Sequence, residues 1–277
     1  MADIMKLQNG SDIRGIACEG IAGENVNLTE DAGNLIGGGF VRWLAEKKGK
    51  RTDELRIGIG HDSRITADSL FAAAAKGIVA AGAKVYDCGL VSTPSMFMTT
   101  VFEAFAFDGA IMITASHLPF NRNGYKFFDR DGGLEHDDIT KVLETASGLA
   151  VVEADLSAVE KVDSISVYCG FLQEKIRKSI NADDYDRPLA GLHIVVDTGN
   201  GAGGFFVEKV LDPLGADTTG SQFLEPDGHF PNHIPNPENR EAMEAIRQAV
   251  LENKADLGII FDTDVDRMSA VLPNGDE

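Results

Sequence analysis

Asp262, Asp264 and Asp266 alternate in the stretch FDTDVDRMS, directly after the apolar run LGII. Alternate residues of an extended segment point the same way, so this spacing predicts three converging carboxylates. Like charges that close need a cation, and hard oxygen ligands suit Mg2+ or Ca2+. An EF-hand loop fails twice: its sixth position, a glycine there, is Arg267, and its twelfth, a glutamate there, is Pro273. The apolar strand ahead of the loop also excludes a helix–loop–helix frame. Magnesium needs few protein carboxylates when a phosphate completes its shell, which points to a phosphorylated partner.

Residues 113–128, ITASHLPFNRNGYKFF, place a serine beside a histidine after the apolar run GAIMIT. Ser116 and His117 are neighbours, and adjacent side chains diverge, so they make a poor nucleophile–base pair. No G-x-S-x-G elbow is present, and no second histidine is recognisable as a triad partner. A serine near a metal has another use, which is to carry a phosphoryl group whose oxygen binds that metal. Lys126, ten residues on, suits charge stabilisation, or proton transfer if its pKa is lowered.

Weaker signals accompany these. Arg14 in GSDIRG suits a phosphate or hydroxyl, and equally an ion pair in a terminal arm. Arg64 in GHDSR suits pairing with acidic groups near the site, and equally a helix cap. The glycine run DTGNGAGG suits close approach to a phosphate, but it is neither G-x-G-x-x-G nor a P-loop. EPDGHFPNHIPNP predicts a long extended connection in which His229 and His233 are structural.

The elements that must position these groups alternate. LRIGIGH predicts a strand and TADSLFAAAAKGIVAAG a helix, with Thr66 as N-cap and Gly82 as stop. AKVYDCG predicts a strand, STPSMFMTTVFEAF a helix and GAIMIT a strand. This order predicts parallel βα units, with loops beyond the carboxyl ends of strands as ligand positions. The pattern then restarts: LHIVVDTGNGAGG matches LRIGIGHDSR, FFVEKVLDPLGAD matches the first helix, and ADLGIIFDTDVD matches FDGAIMITASH. A weak internal repeat follows. The expected fold is α/β, with two tandem similar domains of mixed, mostly parallel sheets flanked by helices. The domains are expected at 1–160 and 161–277, with the boundary in the small, acidic stretch near 155–165.

Net charge is −19 over 277 residues, without a Lys/Arg-rich block. This argues against nucleic acid or an anionic membrane surface as partner, but not against a small anion at a local positive site. The N-terminus lacks the apolar core of a signal peptide, and no apolar segment is long enough to span a bilayer. Cys18, Cys88 and Cys169 are widely spaced, as expected for reduced thiols in a cytoplasmic protein.

Together these loops resemble the α-D-phosphohexomutase superfamily of phosphoglucomutases and phosphomannomutases. TASHLP resembles the active-serine loop and DTDVDR the metal loop. SDIRG, GHDSR, NGYKFF, NGAGG and DGHFPNHIPNP stand in the family's order. The resemblance implies that Ser116 cycles between serine and phosphoserine, and that Asp262, Asp264 and Asp266, with the phosphate on Ser116, hold Mg2+. It implies proton transfer or its support for Arg14 and Lys126, and shaping of the serine loop for His117. Arg267 would sit near the phosphoserine or the sugar, with Arg64 a further phosphate-binding position.

The implied reaction moves phosphate between C1 and C6 of hexose phosphates, glucose or mannose 1- and 6-phosphates, through a 1,6-bisphosphate. A non-catalytic phospholigand-binding or scaffold module with the same fold is the alternative. Two departures stand out: Thr263 and Val265 replace the glycines common in the metal loop, and Leu118 stands where asparagine is common. Family enzymes have four domains, and the resemblance covers the first two. The third domain's sugar-recognition loop and the fourth domain's phosphate loop are expected to be missing, so full turnover by these residues alone is not expected.

Overall fold

The computed structural model describes residues 3–277. The chain divides into two compact units, the first running to Leu90 and resuming over Pro94–Val162, the second comprising Val91–Thr93 and Asp163–Glu277.

The first unit is built on an eight-stranded mixed sheet. Its strands are β1 (Gln8–Asn9), β2 (Asp12–Ile16), β3 (Arg56–His61), β4 (Lys84–Leu90), β5 (Gly109–Ile113), β6 (Arg122–Asp129), β7 (Gly132–Gly133) and β8 (Glu160–Lys161). Their order is β1-β2-β6-β5-β3-β4-β8, with β7 paired to β6. The strands β5, β3, β4 and β8 run parallel, as the alternation of strand and helix predicts. All five residues of β5 are buried, which fits a continuous apolar run covered on both faces.

The other half of the sheet is antiparallel, because β6 folds back on β5 and receives β2. This half is larger than the expectation of mostly parallel strands allowed. No helix separates β5 from β6, so nothing in the alternation announces that β6 turns back.

Helix α1 (Glu30–Lys48) starts where Thr29 accepts the Ala32 amide at 3.2 Å and ends at left-handed Gly49. It packs against α2 (Ala67–Ala80) and α4 (His136–Ser147). Phe40 of α1 meets Phe127 of β6, with ring centroids 4.8 Å apart. Thr66 stands at the start of α2, but its hydroxyl accepts Asn123 Nδ2 at 2.9 Å instead of capping the helix. Gly82 follows the end of that helix at φ +102°. Helix α3 (Thr93–Val101) is shorter than the sequence suggests. The chain turns through left-handed Ala106, and this buries Phe105 and Phe107 against each other.

In the second unit β9 (Ile194–Asp197) runs parallel to β10 (Leu257–Phe261), and β11 (Met268–Val271) returns antiparallel to β10. Side chains alternate across this sheet. Ile194, Val196, Ile259 and Phe261 join one core with Cys169 of α5 (Ser164–Ile180). Val195, Ile260 and Val271 join another with Met243, Ile246 and Val250 of α6 (Arg240–Asn253). The helix expected over FFVEKVLDPLGAD is a short π-wound turn, Val207–Leu211, closed by Asp212 N–H to the Val207 carbonyl at 3.0 Å. Pro213 offers no amide to extend it. The two units therefore share a strand-then-loop order but differ in size: among the described residues, eight strands stand against three.

Candidate active site

Asp262 opens the aspartate loop at the carboxyl end of β10 and organises it. Its Oδ1 accepts the Asp266 and Arg267 amides at 3.1 and 3.0 Å. Its Oδ2 takes the Arg267 guanidinium, Nη2 at 2.8 Å and Nε at 3.1 Å. The segment is a turn, not the extended run the spacing suggested, and Val265 sits in the left-handed region at φ +61°. The turn still brings the carboxylates together: one oxygen from each of Asp262, Asp264 and Asp266 lies within 4.8 Å of the others.

Asp262 and Asp264 are fully buried, whereas Asp266 is exposed. Burial first, then the charges of Asp264 and Asp266, push Asp262 up to about 7, with Arg267 pulling the other way. Three hard oxygen donors brought this close on one turn fit a divalent cation such as Mg2+.

Two supports hold this loop: Thr93, which the sequence did not single out, and the glycine run, which it singled out for a phosphate instead. Thr93, 7% exposed, donates its hydroxyl to Asp264 Oδ2 at 2.6 Å and its amide to the Asp264 carbonyl at 2.8 Å. The glycine run is the other. A Cβ on Gly201 would fall 2.8 Å from Thr263 Cα, and the neighbouring Ala202 amide donates to the Thr263 carbonyl at 2.8 Å. The run that suited a phosphate therefore packs on the aspartate loop.

His233 is structural, as its sequence context suggests. Its Nε2 lies 3.0 Å from both oxygens of fully buried Asp197, and its Nδ1 lies 3.0 Å from the Ile234 carbonyl. Burial opposes its charging, but the Asp197 hydrogen bond and charge prevail and raise its pKa.

In the first unit Ser116 is 4% exposed and left-handed at φ +52°, on the turn that leaves β5. Its amide donates to Thr114 Oγ1 at 2.8 Å, and that hydroxyl donates to Asp62 Oδ2 at 2.7 Å. His117 is half-buried on the same turn.

Arg64, 2% exposed, turns its guanidinium into the backbone of this loop. Its Nη1 donates to the Pro119 and Arg122 carbonyls, both at 2.8 Å, and its Nη2 to those of Leu118 (2.7 Å) and Ser116. Nε lies 3.4 Å from Asp62 Oδ2. This geometry departs from a phosphate-facing role: four carbonyls consume the planar fork, so Arg64 shapes the serine loop.

Arg14 forms an ion pair with Asp12, Nη2 to Oδ2 at 2.7 Å. Arg14 of β2 pairs in register with Gly124 of β6, and Lys126 lies two residues beyond it. The pleat therefore puts Arg14 and Lys126 on one face of the sheet. Ile13 and Tyr125 take the opposite face and are buried in the core. Gly124 makes room for this: a Cβ there would sit 3.1 Å from Arg14 Cγ and 2.2 Å from the Ile13 carbonyl oxygen.

Residues 5–148 match the family model for phosphoglucomutase/phosphomannomutase, alpha/beta/alpha domain I, and residues 168–275 the model for domain II. The chain belongs to the phosphoglucomutase/phosphomannomutase family. It is 34% identical over 259 residues to a phosphomannomutase of Escherichia coli, covering 90% of this chain and 52% of that protein. It is 31% identical to a phosphoglucomutase of Neisseria gonorrhoeae (95% and 52%) and 32% identical to a phosphoglucosamine mutase of Caldicellulosiruptor saccharolyticus (98% and 56%). The crystal structure of a phosphoglucomutase/phosphomannomutase family protein from Burkholderia thailandensis aligns with a TM-score of 0.78 at 25% identity, over 99% of this chain and 56% of that one. The chain thus spans about half the length of these curated relatives. Among the described residues no helix is long and apolar enough to cross a membrane.

Proposed function

We propose that this chain carries the phosphoserine and metal-binding parts of a phosphohexomutase. The observation that supports it most is the convergence of Asp262, Asp264 and Asp266 oxygens within 4.8 Å on one turn. Those three carboxylates would hold Mg2+. When bound, the ion neutralises charge on the phosphoryl group as it transfers.

The remaining chemistry falls to the chain. A hydroxyl of a hexose monophosphate attacks the phosphorus of phospho-Ser116. The bond from phosphorus to the serine oxygen breaks, a bond to the sugar oxygen forms, and the hydroxyl proton passes to Lys126 in its neutral amine form, with Arg14 supporting the same face. The resulting 1,6-bisphosphate turns over and returns its other phosphate to Ser116 by the reverse step. The left-handed Ser116, pinned through Thr114 and Asp62 and framed by Arg64, presents one fixed oxygen to both half-reactions. His117 shapes the turn. Arg267 holds Asp262 through its guanidinium. Arg64 enters as a positioning residue.

Substrates of this class are glucose and mannose phosphates, and full turnover calls for sugar-recognising residues beyond these two units. Incubation with Mg2+ and glucose 1,6-bisphosphate, followed by mass-spectrometric mapping, tests the reading. Phosphate on Ser116, absent from Ser116→Ala, is expected. Equal labelling of the Ser116→Ala variant overturns it.

A further inference from the structure

We infer that Thr93 is a positioning residue for the metal loop, one that sets the affinity of the site for its cation through Asp264. The inference rests on the metal reading above and deepens it. Thr93 stands at the end of the link that follows β4, where the sequence STP suggests no more than a helix start.

The structure gives Thr93 a two-point grip. Its hydroxyl donates to Asp264 Oδ2 at 2.6 Å, and its amide donates to the carbonyl of the same residue at 2.8 Å. One bond fixes the rotation of the carboxylate and the other fixes the backbone that carries it. Both partners are buried, Thr93 at 7% and Asp264 at 0%, so water competes little for either bond. The next residue, Val265, is held at φ +61°. That conformation is unfavourable for a β-branched residue and persists only when its surroundings impose it. A grip on both the side chain and the main chain of Asp264 is such an imposition.

A carboxylate that must meet a cation at a set distance gains from a partner that orients it beforehand. Loss of such an orienting partner typically costs about 10–100-fold in metal affinity. The hydroxyl is the agent here, so serine should substitute and valine, of nearly the same shape, should not.

The test is titration of the chain with Mn2+, followed by water-proton relaxation, alongside thermal unfolding of each variant. Wild type is expected to bind saturably. Thr93→Val should bind roughly tenfold more weakly, and Thr93→Ser should stay near the wild-type value. A merely structural threonine would shift the unfolding temperature and leave Mn2+ affinity alone. If Thr93→Val binds like wild type, or Thr93→Ser is as weak as Thr93→Val, the role of the hydroxyl is refuted. If wild type itself shows no saturable binding, the metal reading falls and takes this inference with it. Should Thr93→Val fail to fold, Thr93→Ala against Thr93→Ser makes the same comparison.

Discussion

The amide of Ser116 donates to the hydroxyl of Thr114 at 2.8 Å, and this bond holds the serine in a left-handed conformation at φ +52°. Thr114 passes the restraint on to Asp62 at 2.7 Å. Replacement of Thr114 by valine keeps the shape but strips a partner from a buried amide and from a buried carboxylate. Losing a hydrogen-bond partner at a buried polar group costs about 1–3 kcal/mol, though Asp62 keeps its bonds to Arg64. Thr114→Val should therefore destabilise the first unit by roughly 2–4 kcal/mol in urea unfolding and slow phosphorylation of Ser116. Thr114→Ser should restore much of both. A valine variant as stable and as readily phosphorylated as wild type would show that the relay does not hold the loop.

Arg64 supports the same loop from below by donating to the carbonyls of Ser116, Leu118, Pro119 and Arg122. A lysine has a compact ammonium and cannot reproduce a planar fork. Arg64→Lys should thus lose more than about 2 kcal/mol of stability, a severity reserved for broken buried networks. Surface exchanges such as Arg42→Lys should stay within about 0.5 kcal/mol. Chemical denaturation of both variants checks the contrast.

Val265 offers a test of backbone strain. Its left-handed φ costs about 1–2 kcal/mol in a residue with a side chain. Glycine relieves that cost but forfeits half-buried packing and adds roughly 0.5–1 kcal/mol of chain entropy. These terms nearly cancel, so Val265→Gly should change stability by less than about 1 kcal/mol. Val271, fully buried in β11 at an ordinary φ, has no strain to release. Val271→Gly should cost about 3 kcal/mol or more, the cavity and the glycine adding together. Equal losses at the two sites would argue that Val265 is unstrained.

His233 and Asp197 make stability depend on pH. The folded-state pKa of His233 lies above its ordinary value. A histidine so raised contributes stability that is fully present below the unfolded pKa, about 6.5, and is lost as pH rises through the folded value. Wild-type stability of the second unit should fall over that window. In His233→Asn that component of the slope should vanish. Urea midpoints measured across the window decide it.

Much of the candidate site was legible because its residue types stand at short spacing. Asp262, Asp264, Asp266, Ser116 and Lys126 each stand just beyond an apolar run or within one quoted stretch. Convergence of the aspartates was foreseen for a different reason: they meet on a turn closed by Asp262, not along an extended strand. What stayed hidden depends on partners far away in the chain. Thr93 and Asp264 are 171 residues apart, and Gly201 reaches Thr263 only once β9 and β10 pair. Arg64 shows the same limit, since no local pattern reveals that an arginine will be spent on four carbonyls. The antiparallel half of the first sheet was equally obscure, because β6 follows β5 with no helix between them and β2 meets β6 only across more than a hundred residues of chain.

The central claim is that Ser116 and the three aspartates serve one phosphoryl transfer. Intact-mass measurement after incubation with glucose 1,6-bisphosphate tests it most directly, comparing wild type, Ser116→Ala and Asp264→Asn, each with Mg2+ and with EDTA in its place. One added phosphate on wild type in Mg2+ alone, and none on either variant, is the predicted result. Phosphate retained by Ser116→Ala at the wild-type level, or labelling of wild type undiminished by EDTA, would contradict it.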